Sequence, residues 1–424
     1  MSDTTATTAP SGNEPKRAPD QEEVPRSNQI ISDILNGNLI ISVLAVIFAL
    51  LIGAVLIAVT NEDVQVASGY FFAAPGDTLA AIWNAVSGAY GALFQGAIFN
   101  FRRDNFLDAI KPLTETLTFA TPLIAAALGI GIAFRVGLFN IGGRGQMLIA
   151  AACAGWVGFS FELPWGVHLV VALIAGIVGG ALWGGIVGLL KARTGAHEVI
   201  LTIMLNYVAF YLISWMLRTP GLLQAPDSVN PKSPPMMETA ILPDILGPRY
   251  NLHLGFLLVI AATIYAWWLL NRSSLGFQFR AVGENPNAAR VAGINVKNTY
   301  VYAMLISGGL VGLAGVMQVL GTVTTGFSAG IDAGIGFDAI TVALLGRSKP
   351  WGIFAAGVLF GAFKAGGFAM QAAEGIPIDI VTVVQSLIVL FIAAPPLIRA
   401  VFFLPKQGRT RRALPSVSKE VEAK

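Results

Sequence analysis

The run VHLVVALIAGIVGGALWGGIVGLL, Val167–Leu190, holds no Asp, Glu, Lys or Arg. A helix that crosses a bilayer needs about 20 mostly apolar residues, and this stretch meets that length. Its distinctive face is made of glycine. Gly176, Gly180, Gly184 and Gly188 recur every fourth residue and share one side of the helix. In lipid, packing replaces the hydrophobic effect, and small residues let two backbones approach closely. Gly308 with Gly312, and Gly357 with Gly361, repeat the device in later apolar runs. The expected fold is therefore an all-α, polytopic integral membrane bundle with tight helix packing.

The rest of the chain has the same character. Of 424 residues, 55% are hydrophobic and only 12% charged, against roughly 25% charged in a soluble domain. Hydrophobic runs of spanning length predict about ten transmembrane helices. They are Leu39–Thr60, Leu113–Phe134, Met147–Phe161, Val167–Leu190, Val199–Leu217, Leu254–Leu270, Tyr300–Val323, Thr324–Leu345, Trp351–Met370 and Ile378–Val401. The eighth contains Gly326, Gly330, Gly334, Gly336, Asp332 and Asp338, so a broken or partly unwound helix is expected there. Met1–Arg26 is polar and lacks the early apolar region of a signal peptide. Residues 1–38 read as a disordered cytoplasmic tail, 39–404 as the transmembrane domain and 405–424 as a cytoplasmic C-terminal tail.

Orientation follows from loop charge, because Lys and Arg stay in the cytoplasm. The inside segments are then Arg135–Gln146, Lys191–His197, Asn271–Thr299, Gly346–Pro350 and the C-terminal tail, and both termini are cytoplasmic. The outside segment Asn61–Pro112 dissents, with Arg102, Arg103 and Lys111. Its Ile82, Trp83, Val86, Tyr90, Leu93 and Phe94 recur at helical spacing. That pattern suits the outer membrane interface, where aromatic residues are favoured.

Several chemistries are excluded. The net charge of +3 is too small for a nucleic-acid surface. The single cysteine, Cys153, cannot form an internal disulfide, and no Cys or His cluster has metal-ligand spacing. No G-x-x-x-x-G-K-[ST] phosphate loop is present. Gly326–Gly330 matches a nucleophile elbow by letter, but the setting is a membrane helix without a histidine partner. No catalytic residue, cofactor or metal is expected.

Four features interrupt the apolar pattern. The first is the polar loop Asn271–Thr299. Asn285 suits a helix N-cap and Pro286 the first helical position, and Gly293 suits the stop. So short a helix is marginal alone; it either lies on the protein's own surface or docks a cytoplasmic partner. The second is a pair of Gly-rich breaks, Gly137–Gln146 and Thr322–Phe337. Paired breaks of this kind point to a transporter's substrate site. Asn140, Gln146, Phe337 and Asp338 are the candidate pathway residues; a tight turn needing positive φ is the plainer reading of the first break. The third is the face Glu198, Thr202, Asn206, aligned at spacing four. Asn206 either bonds a neighbouring helix or lines the pathway. The fourth is Lys364, an intramembrane charge that needs a partner or a cavity; Asp332 or Asp338 is the expected partner.

GENPNAARVAGI, GLFNIGGRGQ (Gly137–Gln146) and GFDAITVALLGRSKPWG (Gly336–Gly352) together resemble the permease subunits of bacterial ABC importers for simple sugars and nucleosides, most closely the nucleoside branch served by BmpA-type lipoproteins. The resemblance covers roughly Leu113–Val401. It implies import of a nucleoside or simple sugar across the bacterial inner membrane, with ATP hydrolysed in a separate cytoplasmic subunit. It implies a coupling helix at Glu284, Asn285, Pro286, Asn287, Ala288, Ala289, Arg290 and Gly293, seated on that subunit. It further implies a second, non-identical permease and an extracytoplasmic solute-binding lipoprotein. Related permeases often carry an acid where Arg144 stands, so no charge role carries over there. The alternative is an ion-coupled secondary transporter using Asp332, Asp338 and Lys364.

Overall fold

The computed structural model describes residues 38–226, 228–247 and 249–393; the expected tails, and the last part of the tenth expected span, lie outside the described residues. The helices are α1 Asn38–Thr60, α2 Glu62–Ser68, α3 Pro75–Ala97, α4 Phe106–Ala109, α5 Lys111–Arg135, α6 Gly143–Ser160, α7 Val167–Thr194 and α8 Glu198–Met216. There follow α9 Gly255–Arg272, α10 Ser274–Glu284, α11 Pro286–Val291, α12 Val296–Met317, α13 Ile335–Leu345, α14 Pro350–Glu374 and α15 Ile378–Ala393. Among the described residues, six helices are long and apolar enough to cross a membrane, or seven if the bent pair α1–α2 counts as one. The remaining expected spans are shorter or more polar. The eighth is half a helix: only Ile335–Leu345 is helical, about 16 Å at 1.5 Å per residue.

Glycine decides which helices touch. A Cβ on Gly180 would stand 2.6 Å from the Gly308 carbonyl oxygen, and one on Gly184 would stand 2.7 Å from that of Met304. The stripe on α7 therefore lies backbone-to-backbone on α12, and the two run antiparallel. Gly361 of α14 meets the Thr116 carbonyl of α5 in the same way, at 2.6 Å. These contacts bring the carbonyl dipoles and Cα–H groups of facing helices together, which compensates for the missing hydrophobic drive in lipid.

The loops gather at two ends. Arg135 donates from Nε to the Ser348 carbonyl at 3.0 Å, and Gly283 rests on the end of α5 at Arg135. This end carries α10, α11 and Gly346–Pro350, and with them the candidate coupling loop read from the sequence; it is named the coupling-loop end for that expectation alone. The opposite end carries residues 61–74, 98–110 and 217–254. There α3 packs along α14: a Cβ on Gly88 would meet the Glu374 carboxylate at 3.2 Å, and Gly96 rests on Ala369. The helical spacing expected within Asn61–Pro112 thus builds a helix whose Ala85 and Ala89 are buried against the bundle while Trp83 and Phe94 remain exposed.

Candidate translocation site

The two Gly-rich breaks meet inside the bundle. Asn140 donates from Nδ2 to Ser307 Oγ at 2.9 Å, and Ser307 lies in a helix that starts at Val296, about 16 Å into it. The segment before α6 therefore does not stay at the coupling-loop end but re-enters to mid-depth. The second break reaches the same level: α13 begins at Ile335 and runs back to the coupling-loop end. A Cβ on Gly143 would lie 2.8 Å from the Gly336 carbonyl oxygen. The helix α6 and the half-helix α13 thus meet N-terminus to N-terminus. Each such terminus carries partial positive charge, and the Asp332 carboxylate sits beside them, with Gly334 N donating to its Oδ2 at 3.4 Å.

The re-entrant turn is held by the polar residues singled out in the sequence. α6 has no local side-chain cap. Asn206 of α8 supplies one from across the bundle: its Oδ1 accepts from Gly145 N at 2.8 Å and its Nδ2 donates to the Ile141 carbonyl at 3.0 Å. Asn140 Oδ1 accepts from Gly142 N at 2.9 Å, and Asn140 and Gln146 exchange amide hydrogen bonds at 3.3 Å. All three side chains are buried. Asn140 uses both its donors and both its acceptor positions, while Gln146 and Asn206 each make one bond of either kind, so all three brace the turn. Thr202 donates to the Glu198 carbonyl at 2.8 Å, while Glu198 binds Lys191 at 2.6 Å. That face of α8 is structural throughout.

The open side of the junction has different residues. Arg144 Nε contacts Asp332 Oδ1 at 3.3 Å, and the two side chains are 30% and 6% exposed. The guanidinium also lies 4.7 Å from the Phe210 ring centroid, a cation–π contact. Phe337 is 49% exposed, and Asp338 follows it. Lys364 was expected to pair with Asp332 or Asp338; among the described residues it closes an ion pair with neither. Its Nζ donates instead to the Ala333 carbonyl at 3.4 Å, with Asp338 within electrostatic reach. The reason is local. Ala333 and Gly334 adopt φ of 46° and 80°, and this left-handed turn aims the carbonyl at the ammonium while Arg144 takes Asp332. Sequence reading missed Arg144 as the partner and Ser307 as the anchor. The position of Arg144 inside the first break was the available signal.

At the coupling-loop end, Asn285 Oδ1 accepts from Asn287 N at 3.0 Å and Ala288 N at 3.1 Å, capping α11. Gly293 ends it at φ 85°, and Ile294 N closes on the Ala289 carbonyl at 3.0 Å. Ala289 is buried against the bundle, whereas Val291 is 91% exposed. Glu284, Asn287, Ala288 and Arg290 are also exposed, and Pro286 is half-buried. The short helix presents one face to its own bundle and the other outward.

A charged seam open at mid-depth cannot face lipid, because ionised groups in hydrocarbon are costly and mark cavities or solute paths. A helical membrane bundle with a broken helix and a partly buried ion pair at such a seam has the features of a transport protein. The comparisons make the class specific. Residues 113–393 match the family model described as "Branched-chain amino acid transport system / permease component". The chain is 35% identical over 373 residues to the guanosine ABC transporter permease protein NupP of Bacillus subtilis, covering 88% of this chain and 98% of that one. It is 35% identical over 314 residues to the nucleoside ABC transporter permease protein NupB of Lactococcus lactis, covering 72% and 85%. The glucose ABC transporter permease protein TsgB13 of Haloferax volcanii is 34% identical over 289 residues, 66% and 75%. No solved structure matches. The chain belongs to this family of ABC transporter permeases, multi-pass proteins of the bacterial inner membrane. It is a transporter component, and the family implies an ATP-binding subunit and a solute-binding protein as partners.

Proposed function

We propose that this chain forms part of the import path for a nucleoside, with the solute passing along the open side of the seam at Arg144, Phe337, Asp338 and Lys364. The observation that carries the reading is the partly accessible, charged junction of α6 and α13 at mid-depth. The printed names of the relatives NupP and NupB, which concern guanosine and nucleosides, favour a nucleoside over a sugar. An aromatic ring beside amphiphilic charges suits a solute with a flat base and a polar sugar. ATP hydrolysis occurs in a separate subunit that engages α11 through its exposed face. The coupling-loop end is cytoplasmic, as are both termini. A second, non-identical permease closes the path, and a lipoprotein delivers solute at the opposite end.

The test is uptake into proteoliposomes containing the assembled transporter, its binding protein and internal ATP. Radiolabelled guanosine, adenosine, uridine, glucose and ribose form the panel. ATP-dependent accumulation of one or more nucleosides is expected. Accumulation of sugar alone would overturn the nucleoside assignment, and accumulation that follows an ion gradient without ATP would overturn the mechanism.

A further inference from the structure

A cavity of about 910 Å³ opens at the end opposite the coupling loop, between α3, the 98–110 loop, the start of α5 and the end of α14. Its rim carries Arg102, Arg103, Lys111 and Arg249. These include the three cations that dissent from the loop-charge rule. The acids of the same wall are Asp108, Glu115 and Glu374. One of them is neutralised: Asp108 pairs with Arg249. Glu115 Oε1 accepts from the uncharged Asn251 Nδ2 at 2.7 Å and keeps its charge. The side chains of Arg102, Arg103 and Lys111 close no ion pair or hydrogen bond among the described residues. Three unpaired cations therefore face two unpaired carboxylates, and the rim keeps a net positive charge.

Beneath this rim the cavity turns apolar. Phe119 and Phe368 form the floor with ring centroids 5.7 Å apart, beside Ala365 and Ala369. The loop next to the rim bears an exposed aromatic chain. Phe94 and Phe101 stack at 6.0 Å, and Phe99 links Phe101 at 5.1 Å to Phe106 at 6.2 Å. Phe101 and Phe106 are 69% and 65% exposed. Exposed phenylalanine rings beside cations at a bundle end suit the boundary between headgroups and acyl chains, as on an interfacial amphipathic surface. A free anion would satisfy the rim and leave the floor wet. An amphiphile with an anionic phosphate satisfies both.

We propose that this cavity is a binding site for an anionic phospholipid, its phosphate held by Arg102, Arg103 and Lys111 and an acyl chain lying over Phe119 and Phe368. The assignment does not depend on which solute the transporter carries. The test uses the assembled transporter in nanodiscs holding phosphatidylcholine in roughly threefold excess over phosphatidylglycerol, so that the anionic lipid is the minor species and its enrichment can be read. Co-purifying lipid is counted by mass spectrometry. Enrichment of phosphatidylglycerol over the bulk ratio is expected, falling about fivefold for each cation removed in Arg102→Gln, Arg103→Gln and Lys111→Gln. Arg218→Gln, at the same end but outside the rim, should leave enrichment unchanged. Because the three side chains make no internal bond, the variants should keep the wild-type melting temperature. Equal enrichment in wild type and the triple variant would overturn the proposal. Displacement of the lipid by millimolar inorganic phosphate or a nucleoside monophosphate would show that the rim takes a soluble phosphate, and would overturn the lipid assignment.

Discussion

Asn206→Leu isolates the cap that holds the re-entrant turn. Leucine keeps the branch point but is bulkier than asparagine in a tight site, so Asn206→Ala, which loses the same bonds without overpacking, is its companion. What disappears is the acceptor for Gly145 N at 2.8 Å and the donor to the Ile141 carbonyl at 3.0 Å. Both backbone groups lie at a buried junction, and Gly145 N is one of the first-turn donors that α6 cannot satisfy itself. A buried polar group left unpaired costs about 1–3 kcal/mol, so the pair costs about 2–6 kcal/mol. Against a typical total of about 5–15 kcal/mol, that is a large share, and it falls on one turn. The turn should therefore loosen before the bundle unfolds. In mixed micelles, Asn206→Leu should lower the denaturation midpoint, and amide exchange at Gly142–Gly145 should rise while α7 and α12 stay protected. ATP-driven uptake should fall with it, because Gly143 would no longer be pressed on Gly336. Wild-type stability and exchange in this variant would refute the idea that Asn206 is a cap supplied by another helix.

Other outcomes follow from the same geometry. Gly180→Ala places a methyl 2.6 Å from the Gly308 carbonyl oxygen, which forces α7 and α12 apart and should cost about 1–3 kcal/mol in chemical denaturation. Asp332→Asn strands Arg144 and should abolish most uptake, whereas the Arg144→Asp, Asp332→Arg exchange should recover part of it; failure of the exchange to exceed either single variant would argue against a pairing role. Arg290→Glu or Val291→Glu should leave the melting temperature unchanged and reduce uptake-coupled ATPase activity, since both side chains are exposed on α11. His253, in the loop before α9, is buried and its pKa is pushed down to about 4 from 6.5. The folded protein then keeps a neutral ring while the unfolded chain takes up a proton. Stability is full above pH 6.5 and declines as pH falls towards 4, and His253→Phe should flatten that decline in a melting-temperature series.

Much of the fold is carried by local pattern. The charge-free run Val167–Leu190 and its four glycines specify a spanning helix with one close-packing face, because the bilayer admits no unpaired backbone and rewards small interfaces. The cap at Asn285, the proline at 286 and the stop at Gly293 specify α11 for similarly local reasons. The paired breaks were legible as glycine-rich interruptions. What they do was not. Whether Asn140, Gln146 and Asn206 point at solute or at backbone depends on which helix lies opposite, and amides serve equally well for both. In the tertiary structure all three hold the re-entrant turn, and Arg144, Phe337, Asp338 and Lys364 lie on its less buried side. The ion-pair partner was likewise undecidable in one dimension. Arg144 and Lys364 both compete for Asp332, and only the left-handed turn at Ala333–Gly334 gives the carboxylate to one and a carbonyl to the other. The sequence by itself determined that the chain is a membrane bundle with a short capped helix in its longest polar loop and two breaks, since those follow from periodicity and solvent. Only the tertiary structure decided that the two breaks meet at mid-depth, since that contact joins residues nearly two hundred positions apart.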